Sequence, residues 1–452
     1  MYDAIIAEEA GKPSVVIVNK GFVADAKTAS SSKGMPGVRI VSSPVLANCT
    51  IEADIDVGIT SVMKDIVAGL TKPLTVEEKS PVPKARETAR IVFTGNVKEV
   101  NRFFYKRGWT DGLPIMPPTE EEVKEMLTGT DLPPDHVVGK LVPRQANVTV
   151  EKIAVNAVMA GALPTYMPVL IAATEILMED CVYFGQFGVS TGAFAPIWFI
   201  NGPIRNDLHV NCKTGIMSPG DIANSGIGRA MSMIIKNIGG IRKGVEDMGV
   251  MGNVGKIGMV VGENEEESPW EPLHVDHGFK KEDSAITVHF MDNSHVITPY
   301  HTDDNGILRV LVDNIHPGRQ LVYTIIFNAE TAKILNDRGW SKKDVREFIC
   351  EYARVPAYKH RVWERVFTEA SPNPWGLRRQ QMPIHPEETM RIILDSDWLR
   401  IVVAGGPLSS MGIYGGDHFD VQKWVTKKIQ LPANWDKLVA KYKSVVHNYA
   451  FY

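Results

Sequence analysis

Three largely apolar runs, each closing in a turn of small or amide residues, restrict the fold most. They are "APIWFINGPI" at 195–204, "LVYTIIFNAET" at 321–331 and "WLRIVVAGGPL" at 398–408. Runs without polar alternation suit strands buried on both faces, as in sheets covered by helices. Upstream of them, in the same order, lie the helix-like segments "PVLIAATEILM", "GILRVLVDNI" and "ETMRIILDSD". Three related helix–strand units are therefore expected, forming a pseudo-threefold internal repeat with the turns gathered at one end.

The N-terminal segment alternates in the same sense on a smaller scale. "MYDAIIAEEAG" predicts a helix stopped by Gly11, "PSVVIVNKGF" a buried strand, and "VADAKTASSSKG" a helix ending at Gly34. "VRIVSSPVL" predicts a second strand, and "DIDVGITSVMKDIVAGLTKPL" a helix ending at Gly69. Such an order implies parallel pairing with right-handed crossovers. The expected class is α/β: a small parallel-sheet N-terminal domain followed by a larger α/β (α+β) domain. A chain of 452 residues accommodates two or three domains. The expected division is a small α/β domain at 1–75, a Pro- and charge-rich linker at 76–92 and a large domain at 93–452 that carries the pocket. In the large domain Thr119 precedes Glu122 by three residues, a helix-capping arrangement, and Pro164 divides two apolar helices.

Charge excludes some functions. With 49 Lys+Arg against 53 Asp+Glu the net charge is −4, which gives no electrostatic case for nucleic acid or an anionic membrane. Cys49, Cys181, Cys212 and Cys350 form no CxxC, against a zinc ribbon or a disulfide-stapled secreted domain. The acidic start "MYDAIIAEEAGKP" is no secretion signal, and the longest apolar run is interrupted by Glu175. A cytoplasmic protein is expected, and the nine tryptophans and apolar helices suit an oligomer.

Four stretches carry candidate chemistry. In "ENEEESPWEPLHVDHGF", read as extended, His274 and Asp276 fall on one face, so that Asp276 would orient His274; the acids Glu263 to Glu267 are also consistent with a solvated run. His274, His295, Asp276 and Glu271 are the candidate catalytic groups. In "HFMDNSHVITPYHTDDNG", His295, His301 and Asp303 are candidate ligands for a divalent metal, without any HExxH, EF-hand or paired-cysteine pattern. In "FGVSTGAFAPIWFINGPIR", Ser190, Thr191 and Asn201 are candidate substrate hydrogen-bonders and Arg205 an anion clamp. The helix start "SPGDIANSGIGRAM" adds Asn224, Ser225 and Arg229, and the rigid loop "RGWTDGLPIMPPT" adds Asp111. Absence of GxGxxG removes the case for a dinucleotide.

The stretches "GWTDGLPIMPPTEEEVKEML", "VEKIAVNAVMAGALPTYMPVLIAA", "TGAFAPIWFINGPIR", "NEEESPWEPLHVDHGF" and "GWSKKDVREFI" resemble the large domain of the UGSC family of (seleno)proteins, and "GMPGVRIVSSP" its small domain. The resemblance implies redox chemistry at a Cys/Sec-Gly-Ser-Cys motif ahead of the first helix, with a histidine managing the proton. It also places histidines where His274 and His295 stand. This sequence departs from the family in two respects. It starts at "MYDAI" without that motif, so a separate small subunit is expected to supply it. "IIFNAETA" lacks the histidine of the family's Gly-Pro-Glu-His turn, at Asn328 to Thr331. The resulting expectation is an enzyme subunit acting on a small polar or anionic substrate. The alternatives are a metal-dependent hydrolase or lyase using the His/Asp cluster, and a non-catalytic scaffold subunit.

Overall fold

The computed structural model describes residues 2–32, 34–46, 51–75, 89–316, 322–359, 385–416 and 424–445. Most of the expected linker, residues 76–88, and Cys49 lie outside the described residues. By internal contacts the chain divides into two units. One comprises Met1–Pro114, Gly139–Val148 and Ile235–Met248; the other comprises Ile115–Val138, Thr149–Ile234 and Gly249–Tyr452.

The first unit begins with the five elements its sequence predicts: α1 (Tyr2–Glu9), β1 (Val15–Asn19), α2 (Val23–Ser32), β2 (Arg39–Ser43) and α3 (Glu52–Thr71). β1 and β2 pair in parallel, Val15 opposite Arg39 through Asn19 opposite Ser43. Gly11 takes φ +72° just past α1, a left-handed position that a Cβ disfavours. Gly69 does not end α3, which continues to Thr71. It is needed for close packing instead: a Cβ there would lie 2.6 Å from Val15 Cγ2.

The second unit holds two four-stranded sheets; the β-pairing also includes a two-stranded sheet of β3 (Val137–Leu141) with β4 (Ala146–Thr149). The helices used below are α4 (Met167–Leu177), α5 (Ile222–Asn237), α6 (Leu273–Asp276), α7 (Asp304–Asn314), α8 (Ala329–Asp337) and α9 (Lys342–Tyr352). The strands of one sheet are β5 (Ala195–Asn201), β6 (Met259–Gly262), β7 (Ala285–Met291) and β14 (Thr426–Lys428), in the order β14-β7-β5-β6. Those of the other are β8 (Asn293–Ile297), β9 (Val322–Phe327), β12 (Leu399–Val403) and β13 (Met411–Gly416), in the order β12-β9-β13-β8. β5, β7 and β9 are buried along their whole length, as largely apolar strands between helices require, and Thr287, His289 and Thr324 are buried within them. Ile197, Phe199, Val261 and Met291 of the first sheet share one apolar cluster with Ile326, Val402 and Tyr414 of the second. The second sheet also packs through Ile325, Phe327 and Ile401 against Ile307, Leu311, Leu335, Val345 and Ile349 of α7, α8 and α9.

The expected threefold repeat gives way to a twofold one. In each sheet a buried strand (β5, β9) pairs in parallel with the next strand of its set (β6, β12). On its other side it pairs antiparallel with the third (β7, β13). The edge strands are exchanged: β8 follows β7 in the chain but pairs with β13, whereas β14 follows β13 but pairs with β7. The third expected helix, "ETMRIILDSD", contains instead the short strand β11 (Thr389–Arg391), antiparallel to β10 (Arg354–Pro356). Its β-branched Ile392 and Ile393 are buried, and the Ile392 N–H bonds to the Ala353 carbonyl, so tertiary pairing overrides a weak helical spacing. The turns nevertheless gather. The Ala404 N–H donates to the Phe327 carbonyl at 2.8 Å and the Asn264 N–H to the Val403 carbonyl at 2.7 Å. The C-terminal ends of β6, β9 and β12 are thereby tied together.

Candidate functional site

At these strand ends stands Glu263, the first residue after β6, with no exposed surface. Its Oε2 accepts hydrogen bonds from Asn201 Nδ2 at 2.6 Å and from the Leu273 N–H at 2.7 Å. Its Oε1 accepts from the Val403 N–H at 3.4 Å and lies 4.0 Å from Lys342 Nζ. Burial pushes the Glu263 carboxyl up; Lys342 and the donated hydrogen bonds pull it back. One carboxylate thus joins β5, β12, α6 and α9. Glu265 is buried as well, and its Oε1 accepts from the Gly202 N–H at 2.7 Å. The solvated reading of this acid run is corrected here. Glu263 and Glu265 face inward because they continue a buried strand, while Glu266 and Glu267 remain half exposed.

The candidate substrate groups have mostly internal occupations. Arg205, 2 % exposed, grips Glu266 through Nη1 at 3.3 Å and Nη2 at 2.9 Å, and its Nε lies 3.1 Å from Glu265 Oε1. Its charge is already matched by carboxylates, so it is not placed as an anion clamp. The Arg205 hydrogen bond draws the Glu266 carboxyl down to about 2. Asn224 bridges Asn211 and the Val260 carbonyl. Asn201 donates to Glu263 and Glu265 while its Oδ1 has no partner among the described residues. Ser190 Oγ accepts from the Gly192 N–H, and Thr191 and Ser225 are exposed. Arg229 is half-buried on α5. Asp111, exposed, belongs to the other unit and caps its own loop at Leu113. The structure does not gather this set into one pocket.

His274 and Asp276 part company too. Pro272 precedes a helical turn, α6, and positions two apart on a helix point to opposite sides. Asp276 bonds Lys342 Nζ at 2.8 Å, and that same Nζ donates to the Glu271 carbonyl at 2.5 Å, leaving the exposed Glu271 carboxylate uninvolved. His274 turns inward with no exposed surface, and neither Nδ1 nor Nε2 has a partner among the described residues.

Near it lies a layer of buried and half-buried polar groups. His277 Nδ1 is 2.5 Å from Thr426 Oγ1, which is 2.7 Å from Thr287 Oγ1. His289 Nδ1 is 2.9 Å from Thr324 Oγ1, and its ring packs 4.5 Å from the Trp424 indole. The Arg400 guanidinium sits 5.1 Å from that same indole. Nε2 of His277, Nε2 of His289 and Nε of Arg400 have no partner among the described residues. Burial, reinforced by Arg400, pushes His277 down to about 4 and His289 down to about 3; burial, with Arg346 adding, pushes Arg400 down to about 10. Both imidazoles are therefore neutral in the fold at pH 7. Sequence reasoning passed over Arg400 and Trp424 and took up His289 only within the His/Asp cluster weighed for a metal. The available signal was a lone cation in "WLRIVVAGG" and a polar Thr287/His289 alternation inside "ITVHFM".

These shifts fix the sign of an acid effect. Each histidine binds its proton more weakly in the fold than at the ordinary value of 6.5, so the unfolded chain holds more protons between those limits. Stability is whole above pH 6.5 and falls as pH drops toward the folded values, by at most about 1.4 kcal/mol per pH unit for each histidine. Denaturant titrations from pH 7 to 4 should show a shallower loss in a His277→Gln/His289→Gln double variant than in the unaltered protein. Equal slopes would contradict the neutral burial.

The candidate metal cluster does not assemble. His295 lies on β8, its ring centroid 6.1 Å from that of His316. His301 is exposed, and Asp303 Oδ1 accepts from the Gly306 N–H at 2.7 Å as the cap of α7. Among the described residues no group of three or more His, Cys, Asp or Glu is placed to hold a metal ion. No helix among them is long and apolar enough to cross a membrane.

No curated protein and no solved structure matches this chain. Beyond residue 72 the likeness to a known family rests on sequence motifs alone. Over the segment that folds as α1-β1-α2-β2-α3 the comparison is positive: residues 1–72 match the model of the UGSC family.

Proposed function

We propose that the second unit is the substrate-binding body of an enzyme acting on a small polar or anionic molecule, with His274 as its proton-transfer group. The observation that supports this is a fully buried imidazole with both nitrogens unpartnered among the described residues. Leaving buried polar atoms without partners costs about 1–3 kcal/mol each, which a purely structural core position has no reason to retain. The Glu263 hub gives such a group a rigid mount, since the Leu273 N–H it holds is adjacent to His274 in the chain. The thiol- or selenol-linked redox chemistry of the family resemblance enters as the reaction class. A small partner chain that carries the Cys-Gly-Ser-Cys motif is part of this reading.

The test uses the purified chain, with and without a candidate small chain bearing that motif, incubated with a small-molecule cell extract. Mass spectrometry then follows depletion. The expected result is loss of an anionic compound when both chains are present, slowed about a hundredfold or more by His274→Gln. Depletion by His274→Gln at the unaltered rate would remove His274 from the mechanism.

A further inference from the structure

The layer beside His274 is rich in hydrogen-bond donors without partners among the described residues. No carboxylate bonds Arg400 among the described residues: Asp397, Asp276 and Asp395 attract it from a distance, and Arg346 opposes them. Its Nη1 turns back onto the main-chain carbonyls of Asp397 and Leu399, while Nε is left over. Arg400 stands opposite Thr324 in the parallel β12–β9 pair, and Thr324 holds His289. The same Trp424 ring packs against both Arg400 and His289, and Thr426, two residues on, holds His277. Four elements thus bring one guanidinium and two imidazoles to one place.

Each imidazole has Nδ1 engaged by a threonine hydroxyl and Nε2 unpartnered. With the hydroxyl donating to Nδ1, the ring hydrogen resides on Nε2, and both rings present an N–H donor. His289 is only 6 % exposed, so its spare donor is shut away from bulk water. Buried donors with no acceptor among the described residues, beside a guanidinium that none of their carboxylates bonds, are matched chemically by an oxyanion.

We propose that the polar layer formed by β7, β9, β12 and His277 takes the oxyanion of a small ligand, a carboxylate or a phosphate, held by the Arg400 guanidinium and by the Nε2–H groups of His277 and His289. This deepens the functional reading above and rests on it. The charges facing the layer are Arg400, Arg346 and Lys342 on the positive side and Asp276, Asp395 and Asp397 on the negative, with His274 alongside. An anion set against the two imidazoles favours their protonated form, so binding near pH 6 takes up a proton.

The test is calorimetry on the full chain with inorganic phosphate in one arm and acetate in the other. Each is run at pH 6 in two buffers of different ionisation enthalpy. One arm should bind with net proton uptake, and which arm does so identifies the oxyanion. Arg400→Gln should weaken that binding at least tenfold, and a His277→Gln/His289→Gln double variant should abolish the proton uptake. Circular dichroism checks folding; if Arg400→Gln does not fold, His277→Gln is read for the same loss of affinity. Binding of neither anion, unchanged affinity in the variant, or undiminished proton uptake in the double variant would overturn the assignment. Compound depletion that persists without anion binding overturns only this site. Anion binding without any His274-dependent depletion overturns only the enzymatic reading.

Discussion

Glu263→Ala should destabilise the second unit by about 3–5 kcal/mol, lowering its denaturant midpoint and leaving the first unit's own transition in place. The size follows from what the carboxylate does. Removing it strands the Leu273 N–H, bonded at 2.7 Å, and breaks one of the two hydrogen bonds of Asn201 Nδ2, the other remaining with Glu265, in a site that water does not reach. It also leaves Lys342, 9 % exposed, with Asp276 as its remaining carboxylate partner. Glu263→Gln retains an acceptor and volume, so its loss should be less than half as large. A Glu263→Ala protein as stable as the unaltered one would show that the strand ends are held by other contacts.

The opposite sign is expected at His274, next in the chain to the Leu273 N–H that Glu263 holds. His274→Leu should raise the unfolding free energy by about 1–2 kcal/mol, because a side chain of similar volume replaces two desolvated and unbonded nitrogens. Substitutions that stabilise a fold at the expense of its activity mark positions kept for chemistry. The two neighbours therefore separate scaffold from function: Glu263 is fully bonded and structural, whereas His274 is equally buried and unbonded.

The α/β class was legible because long apolar runs and helical spacing report burial directly, and every element of residues 1–72 could be read in order. Gly69 was misread as a helix stop because sequence does not distinguish a glycine that ends a helix from one that lets it approach a sheet. The twofold architecture was hidden for another reason. The exchanged edge strands, "NSHVI" and "TKK", are short and polar, and their partners are set by long-range pairing rather than local pattern. In the site, His274 was legible as a candidate, but its pairing with Asp276 assumed an extended backbone where Pro272 starts a helical turn. Glu263 looked like part of a solvated charge run, although its place directly after the apolar "MVVG" strand carried the signal that it continues inward. Arg205, Asn201 and Asn224 looked available to a ligand because sequence does not reveal which internal acceptors and donors have already engaged them.

The central claim is that the second unit retains unpartnered imidazoles in its interior for a ligand rather than for the fold. The most direct measurement takes His274→Leu and unaltered protein side by side, each in denaturant unfolding and in mass spectrometry of small anions retained through gel filtration. The variant should be more stable and retain less of the compound held by the unaltered chain. A variant that is less stable, and that retains the same compounds in the same amount, would contradict that claim.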